Sequence, residues 1–322
     1  MLRVRLSGGR IHVGARLSVS FQRTLRVPSE GEFPLPPGLG AFPIVRVRTA
    51  PVRLPPRWRS APQFAVPLHQ HEALWLGFNA ADWKPNAIKV SAGGVNAVSG
   101  GVWEPGLHRN PQDYIVVPDQ PWLDGFNAGD EHIRQFVASP LGEGITAEEQ
   151  LMRGVPVGGI QLEIYEAKPG RFPTRPRKAH PDVDVARLPP MGLAPGGRIR
   201  QKVYADPYGF DVWDRRRSTQ VVIHLFNVEQ FRAETGHDAP PSPISAETYA
   251  QYGLPWFDVY DEHMIAVSGS RVLSRLKGAP LAPSDRESRP LDPPALPVHR
   301  LRLNAPTRSR SRSEKRKDRS HG

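Results

Sequence analysis

Cysteine is absent from the sequence. That excludes a disulfide framework, a thiolate-ligated zinc or iron–sulfur centre and a thiol nucleophile, whatever compartment holds the chain. Long apolar runs are missing too. The longest strongly apolar stretch, Val221-Val222-Ile223-His224-Leu225-Phe226, falls far short of the ~20 residues of a membrane helix. The start, Met1-Leu2-Arg3-Val4-Arg5-Leu6, interleaves arginine with apolar residues and never reaches the ~7–15-residue apolar core of a secretory signal. A soluble chain with no membrane partner is expected, cytoplasmic, or nuclear in a eukaryotic host. No G-x-S-x-G elbow occurs. Gly-Gly pairs recur at 8–9, 93–94, 100–101, 158–159 and 196–197, yet none belongs to a nucleotide-binding glycine loop. No cofactor is expected.

What is present is proline, glycine and arginine. The 322 residues include 36 Pro and 29 Gly, while 39% hydrophobic residues supply enough apolar material for a core. Arginine provides 35 of the 43 basic residues. Its planar fork suits phosphate and carboxylate, although a GC-rich coding sequence enriches Arg, Pro and Gly together. The net charge of +11 is unevenly placed. Residues 1–60 carry +9 and residues 307–322 carry +5, leaving −3 for the 246 residues between. Basicity therefore belongs to the ends of the chain.

Short apolar runs bounded by Gly, Pro, Asn and Asp predict strands and turns. They fall at Leu17–Phe21, Phe64–Leu68, Ala73–Phe78, Ala87–Val90, Tyr114–Val117, Arg134–Ala138, Ile160–Tyr165, Ile199–Tyr204, Val221–Phe226 and Met264–Val267. The strict alternation of Ile160 to Tyr165 predicts a half-buried antiparallel strand, and Gly93-Gly94 a hairpin turn. Three short helices are expected from caps: Thr146 with Glu149, Asn227 with Gly236 as its stop, and one opening at Ser245. The prolines of 32–43 predict an ordered connector over the sheet. Those of 167–198 predict a second one, or an internal boundary. The expected fold is mainly β, a sandwich-like or irregular two-sheet domain over residues 15–270 with a few short helices. A poorly defined segment precedes it at 1–14, and a disordered Pro/Arg/Ser-rich basic tail follows at 271–322.

Several blocks occur in an order that resembles a known set of sequences. They are Gln22–Pro28, Phe33–Gly40, Glu72–Leu76, Ala87–Val90 with Gly94–Val98, Gln112–Tyr114 with Pro121–Gly125, Arg134–Ala138 and Tyr252–Asp258. Over residues 17–262 the chain resembles an uncharacterised family of bacterial and fungal proteins. That resemblance implies no established activity, fold or catalytic residue. Some relatives look joined to ubiquitin-like domains, which implies protein–protein work.

Four patterns carry candidate chemistry. Asp130-Glu131-His132 and Asp261-Glu262-His263 each precede an apolar run, and paired strands would bring two imidazoles and several carboxylates to one divalent ion. Successive strand residues point to opposite faces, which opposes that reading and favours solvated turns. His69-Gln70-His71-Glu72 places two histidines at the spacing of one strand face, as in a cupin-type metal site, but the glutamate follows too closely. Trp122 with Asp124, and Trp256 with Asp258, set aromatics beside carboxylates, either as a binding surface or as core closure with a capped turn. The tail cations Arg308, Arg310, Arg312, Lys315, Arg316 and Lys317 suit weak, non-specific contact with polyanions. The expected function is a non-enzymatic β-rich binding or scaffolding module with a protein partner. The alternatives are a metal-dependent or hydrolytic enzyme built on the Asp-Glu-His segments, and nucleic-acid association through the tail.

Overall fold

The computed structural model describes residues 2–47, 54–81, 84–129, 131–172, 191–237, 239–240, 256–260, 265–279 and 298–302. Among the described residues the chain is mainly β. In chain order the first strands are β1 (Val4–Ser7), β2 (Arg10–Val13), β3 (Leu17–Thr24), β4 (Glu32–Phe33), β5 (Gly38–Ala41), β6 (Val45–Val47), β7 (Gln63–Leu68), β8 (Ala73–Asn79) and β9 (Asn86–Ala92). Then come β10 (Val95–Asn96), β11 (Ile115–Val117), β12 (Trp122–Leu123), β13 (Gly125–Gly129), β14 (His132–Pro140), β15 (Ile160–Ala167), β16 (Met191–Arg200) and β17 (Trp213–Asn227). A separate parallel pair joins β18 (Trp256–Tyr260) to β19 (Val298–Arg302). Four short helices are α1 (Pro56–Arg59), α2 (Ala147–Leu151), α3 (Val228–Thr235) and α4 (Arg271–Ser274). No described helix is long and apolar enough to cross a membrane.

Strands β1 to β17 belong to one hydrogen-bonded sheet with two arms. The first arm runs β1-β2-β3-β8-β14-β16, antiparallel throughout. The second runs β6-β7-β17-β15-β9 and is parallel only at β7–β17. The arms join where Met191 of β16 pairs with Leu225 of β17. Val19, Phe21, Leu74, Leu76 and Phe136 of the first arm share one core with Phe64, Ile88, Leu162, Ile164 and Ile223 of the second. The arms therefore lie face to face, and the expected two-sheet packing is present.

Local signals formed the elements they predict. Thr146 caps α2 in a reciprocal box, accepting from Glu149 N at 3.4 Å while Glu149 Oε2 accepts from Thr146 N at 3.2 Å. Asn227 Oδ1 accepts from Glu229 N and Gln230 N at the start of α3, and Gly236 ends it in the left-handed conformation. Gly93 and Gly94, both at positive φ, turn β9 into β10. A side chain at Gly93 would also strike the carboxylate of Glu148.

Other expectations change. Val4–Val13 form a hairpin where a poorly defined segment was expected. Gly8-Gly9 make its turn, and Ile11 and Val13 enter the main core. The 32–43 connector contributes β4 and β5. In β15 both faces are buried, including Gln161 and Glu163, because loops cover the outer side of the second arm. The proline-rich stretch before 198 already includes strand from Met191. Pro195 sits in β16 opposite Phe136, where the register shifts and a missing donor is tolerated. At its far end β16 stops at Arg200, and Tyr204 makes only an isolated bridge to Ala266.

Residues 271–279 were expected to begin the disordered tail. Instead Ser270 caps α4, and Leu273, Leu276 and Ala279 are buried. Two apolar residues three apart are too brief a pattern for periodicity to register. Strand β19 also falls within the 271–322 segment expected to be a disordered tail. The helix expected at Ser245 and the rest of the tail lie outside the described residues.

Candidate functional site

On the outer face of the second arm, register sets polar residues side by side. Ser91 opposes Gln161, and Lys89 opposes Glu163. The chain from about Ala97 to Asp113 folds over this face, and α1 adds Trp58 beside Trp103, their rings edge to face with centroids 5.6 Å apart. Beneath, the buried Lys89 ammonium donates to the carbonyls of Glu104 and Gly106, each at 2.6 Å, and pairs with Asp113 Oδ2 at 2.7 Å. The Trp103 ring lies over it, 5.5 Å from Nζ to centroid. All three ammonium donors are thus used, as a buried charge requires.

Asp113 Oδ2 also meets His108 Nδ1 at 2.7 Å, and Oδ1 accepts from His108 N at 2.9 Å. The His108 side chain is 46% exposed, and its Nε2 lies 3.7 Å from Glu104 Oε2. A partly exposed imidazole held by a carboxylate is an arrangement that general acid–base chemistry uses, and here its second nitrogen faces Glu104. Here Lys89 shares the carboxylate oxygen with the imidazole, so Asp113 serves as a junction between strand and covering loop.

Neighbouring groups are consumed in the same way. Glu163 accepts from Ser218 Oγ at 2.8 Å, and burial followed by the charge of Glu163 pushes the Tyr165 hydroxyl up. Asp206 Oδ2 accepts from Tyr114 OH and Trp213 Nε1, both at 2.8 Å, while Oδ1 accepts from the amides of Tyr208 and Gly209. Burial and then Asp206 raise the Tyr114 hydroxyl. Sequence reading missed Lys89, Asp113 and Asp206, because Lys89 meets Glu104, Gly106 and Asp113 only once the covering loop is folded over it, and Asp206 is joined to Tyr114 across 92 residues. The one available signal was a lysine inside an apolar strand run, Ala87-Ile88-Lys89-Val90.

The candidates singled out by sequence are scattered. His132 opens β14 with Nε2 3.0 Å from Glu32 Oε2, and Glu32 also pairs with Arg198 at 3.1 Å. Glu131, at positive φ, pairs with Lys202 at 2.8 Å. Asp130, Asp261, Glu262 and His263 lie outside the described residues. Among the described residues no group of three or more His, Asp or Glu could hold a metal ion.

The cupin-like pattern is not realised. Strand β7 ends at Leu68, His71 takes a positive φ in the turn, and His69 Nε2 lies 2.9 Å from the Pro240 carbonyl oxygen. Glu72 instead pairs with Arg23, whose Nε and Nη2 donate at 2.9 and 2.6 Å. Burial raises the Glu72 carboxyl, and Arg23 opposes the rise.

Trp122 is half-buried on β12, paired to β8. Asp124 corrects the binding-surface reading, for it is 2% exposed. Its Oδ2 accepts from Gln201 Nε2 at 2.5 Å, and its amide donates to Gln201 Oε1 at 3.1 Å. Burial raises its carboxyl to about 7, against the pull of the Gln201 hydrogen bond. Trp256 and Asp258 lie on β18 opposite Val298 and Arg300 in register. The tail cations Arg308 to Lys317 lie outside the described residues.

A charged surface emerges at the N-terminal hairpin. Its register pairs Arg5 with His12 and Ser7 with Arg10. By strand alternation Arg3, Arg5, Arg10 and His12 share one face, while Leu6, Ile11 and Val13 take the other. None of these four residues is fully buried, and Arg3 is exposed. Among the described residues, no carboxylate pairs with Arg3, Arg5 or Arg10. Leu2, whose amide donates to Thr219 Oγ1, ties the hairpin to β17 a few residues beyond the exposed Arg215-Arg216-Arg217. Comparison with protein-family models, with curated proteins and with solved structures finds no match to this chain.

Proposed function

We propose that the chain is a non-enzymatic binding module that uses its two-armed β body as a rigid frame and meets an acidic partner through the arginine face of the β1–β2 hairpin. The observation that carries this reading is the register that gathers Arg3, Arg5, Arg10 and His12 on one outward face with no carboxylate among them. Unpaired guanidinium groups on a backbone held by strand pairing are preorganised to receive carboxylate or phosphate, so little side-chain ordering opposes binding. The resemblance noted in the sequence, some of whose relatives look joined to ubiquitin-like domains, is in keeping with a binding role.

Chromatography of the full chain on immobilised heparin tests the reading. Reversing Arg3, Arg5 and Arg10 to Glu is expected to lower the eluting salt far more than reversing Arg153, Arg171 and Arg232, which lie elsewhere in the chain and are exposed. Equal shifts for the two triple variants would show that only net charge matters and would sink the assignment of this face.

A hydrolytic role is the second reading, resting not on the Asp-Glu-His segments, most of which lie outside the described residues, but on a different histidine. Of the described residues, His108 on Asp113 is the arrangement that favours proton chemistry. Turnover of generic ester or phosphoester substrates that is lost in His108→Ala would establish it.

A further inference from the structure

Resting on the hairpin reading above, we infer that the acidic partner is the phosphate backbone of nucleic acid, contacted without regard to sequence. The composition of the face separates phosphate from a protein partner. Protein interfaces depend on buried aromatic and aliphatic anchors seated in pockets, with charges at the rim. The outward hairpin face offers Arg3, Arg5, Ser7, Arg10 and His12 and no apolar anchor, since Val4, Leu6, Ile11 and Val13 point to the other side. It is a rim without a centre. Such a surface contributes through electrostatic attraction and counterion release, the term that dominates backbone contact with nucleic acid.

Geometry agrees. Arg5 lies on β1 and Arg3 just before that strand, two residues and roughly 7 Å apart, and Arg10 stands on β2 opposite Ser7. The three arginines are strung along one face of the hairpin, Arg3 roughly 13 Å along the strand direction from the position of Arg10, and each can grip a phosphate with a bidentate fork. The face carries no Phe, Tyr or Trp on which a run of bases could stack. Binding should follow charge density, and duplex should exceed single strand of equal length. Arg216, exposed and without a carboxylate partner among the described residues, extends the positive surface where Leu2 meets Thr219. The basic tail at 307–322 adds +5, so the full chain carries two cationic segments that can act together.

Fluorescence anisotropy with the full chain, a 20-base-pair duplex, the matching single strand and poly-L-glutamate of similar charge decides the matter across a salt series. The expected result is duplex binding at low salt that is tighter than polyglutamate binding. Reversal of Arg3, Arg5 and Arg10 to Glu should flatten the plot of log affinity against log salt by about 0.9 per arginine. The Arg153, Arg171 and Arg232 reversal should leave the slope near wild type. Duplex binding unchanged by the hairpin reversal would assign it to the tail and overturn the inference. Selective loss of heparin retention on hairpin reversal, together with tighter binding to polyglutamate than to duplex, would overturn the nucleic-acid inference while leaving the acidic-partner reading intact. Failure to bind any of the probes would end both. Thermal melting and far-ultraviolet circular dichroism of each variant establish that a loss is not unfolding.

Discussion

Burial holds the Asp124 carboxyl near 7, and this has a defined consequence for stability. The folded chain keeps a proton there at pH values where the unfolded chain has lost it. The group's contribution is therefore complete below about pH 4 and is lost as the pH rises through 7. Asp124→Asn cannot ionise, yet it retains an oxygen to accept from Gln201 Nε2. Urea unfolding should show the variant gaining on wild type between pH 4 and 7, by up to about 1.4 kcal/mol per pH unit, with a plateau above that range. Parallel curves would mean that Asp124 does not titrate there. His224, lowered to about 4 by burial and 3.0 Å from Gln63 Oε1, has the opposite sign: its contribution is lost as the pH falls from about 6.5 to 4. Both proteins carry it, so the difference isolates Asp124. The Asp124–Gln201 pair was not legible in the sequence, because its members lie 77 residues apart and either one alone resembles an ordinary turn residue.

Among the elements, those with local signals were the readable ones. The Thr146 box and the Asn227 cap act within three residues, and both helices begin where these signals place them. Thr146→Ala should cost about 1 kcal/mol in chemical denaturation, with Thr146→Ser recovering most of it. An alanine variant as stable as wild type would show that packing alone holds α2. Strand β16 was harder to read. Its Met191-Gly192-Leu193-Ala194-Pro195-Gly196-Gly197 run contains the residues least suited to a strand. It forms because a bulge in β16 itself sets Gly196 and Gly197 against the single residue Gln135, next to Pro195, and because Gly197 lets the backbone pass close to the Pro28 carbonyl. Strand β15 was located correctly but its exposure was misread, since alternation reports side-chain polarity and not what covers the polar face.

For the molecule as a whole, the hairpin decides where the body begins. Removing residues 2–14 takes Ile11 and Val13 out of the core, each fully buried and worth roughly 1.5–3 kcal/mol. The truncated chain should melt at a markedly lower temperature and unfold at lower urea. Retained stability would mean that the hairpin is an appendage. Its inward face closes the first arm, and its outward face carries the positive charge proposed to meet phosphate.

From the sequence alone came the β class, the helix caps, the glycine turn at 93–94, the loss of all thiol chemistry and the partition of charge to the ends. These rest on composition or on interactions between near neighbours, whose geometry the chain specifies within a few residues. Only tertiary structure decided that Lys89 is buried against Asp113, that Asp124 faces Gln201, and that three N-terminal arginines stand together facing outward. The first two depend on pairing between segments far apart in the chain; the arginine face depends on the local Gly8-Gly9 hairpin register and on which side of that hairpin packs against the distant strands of the core.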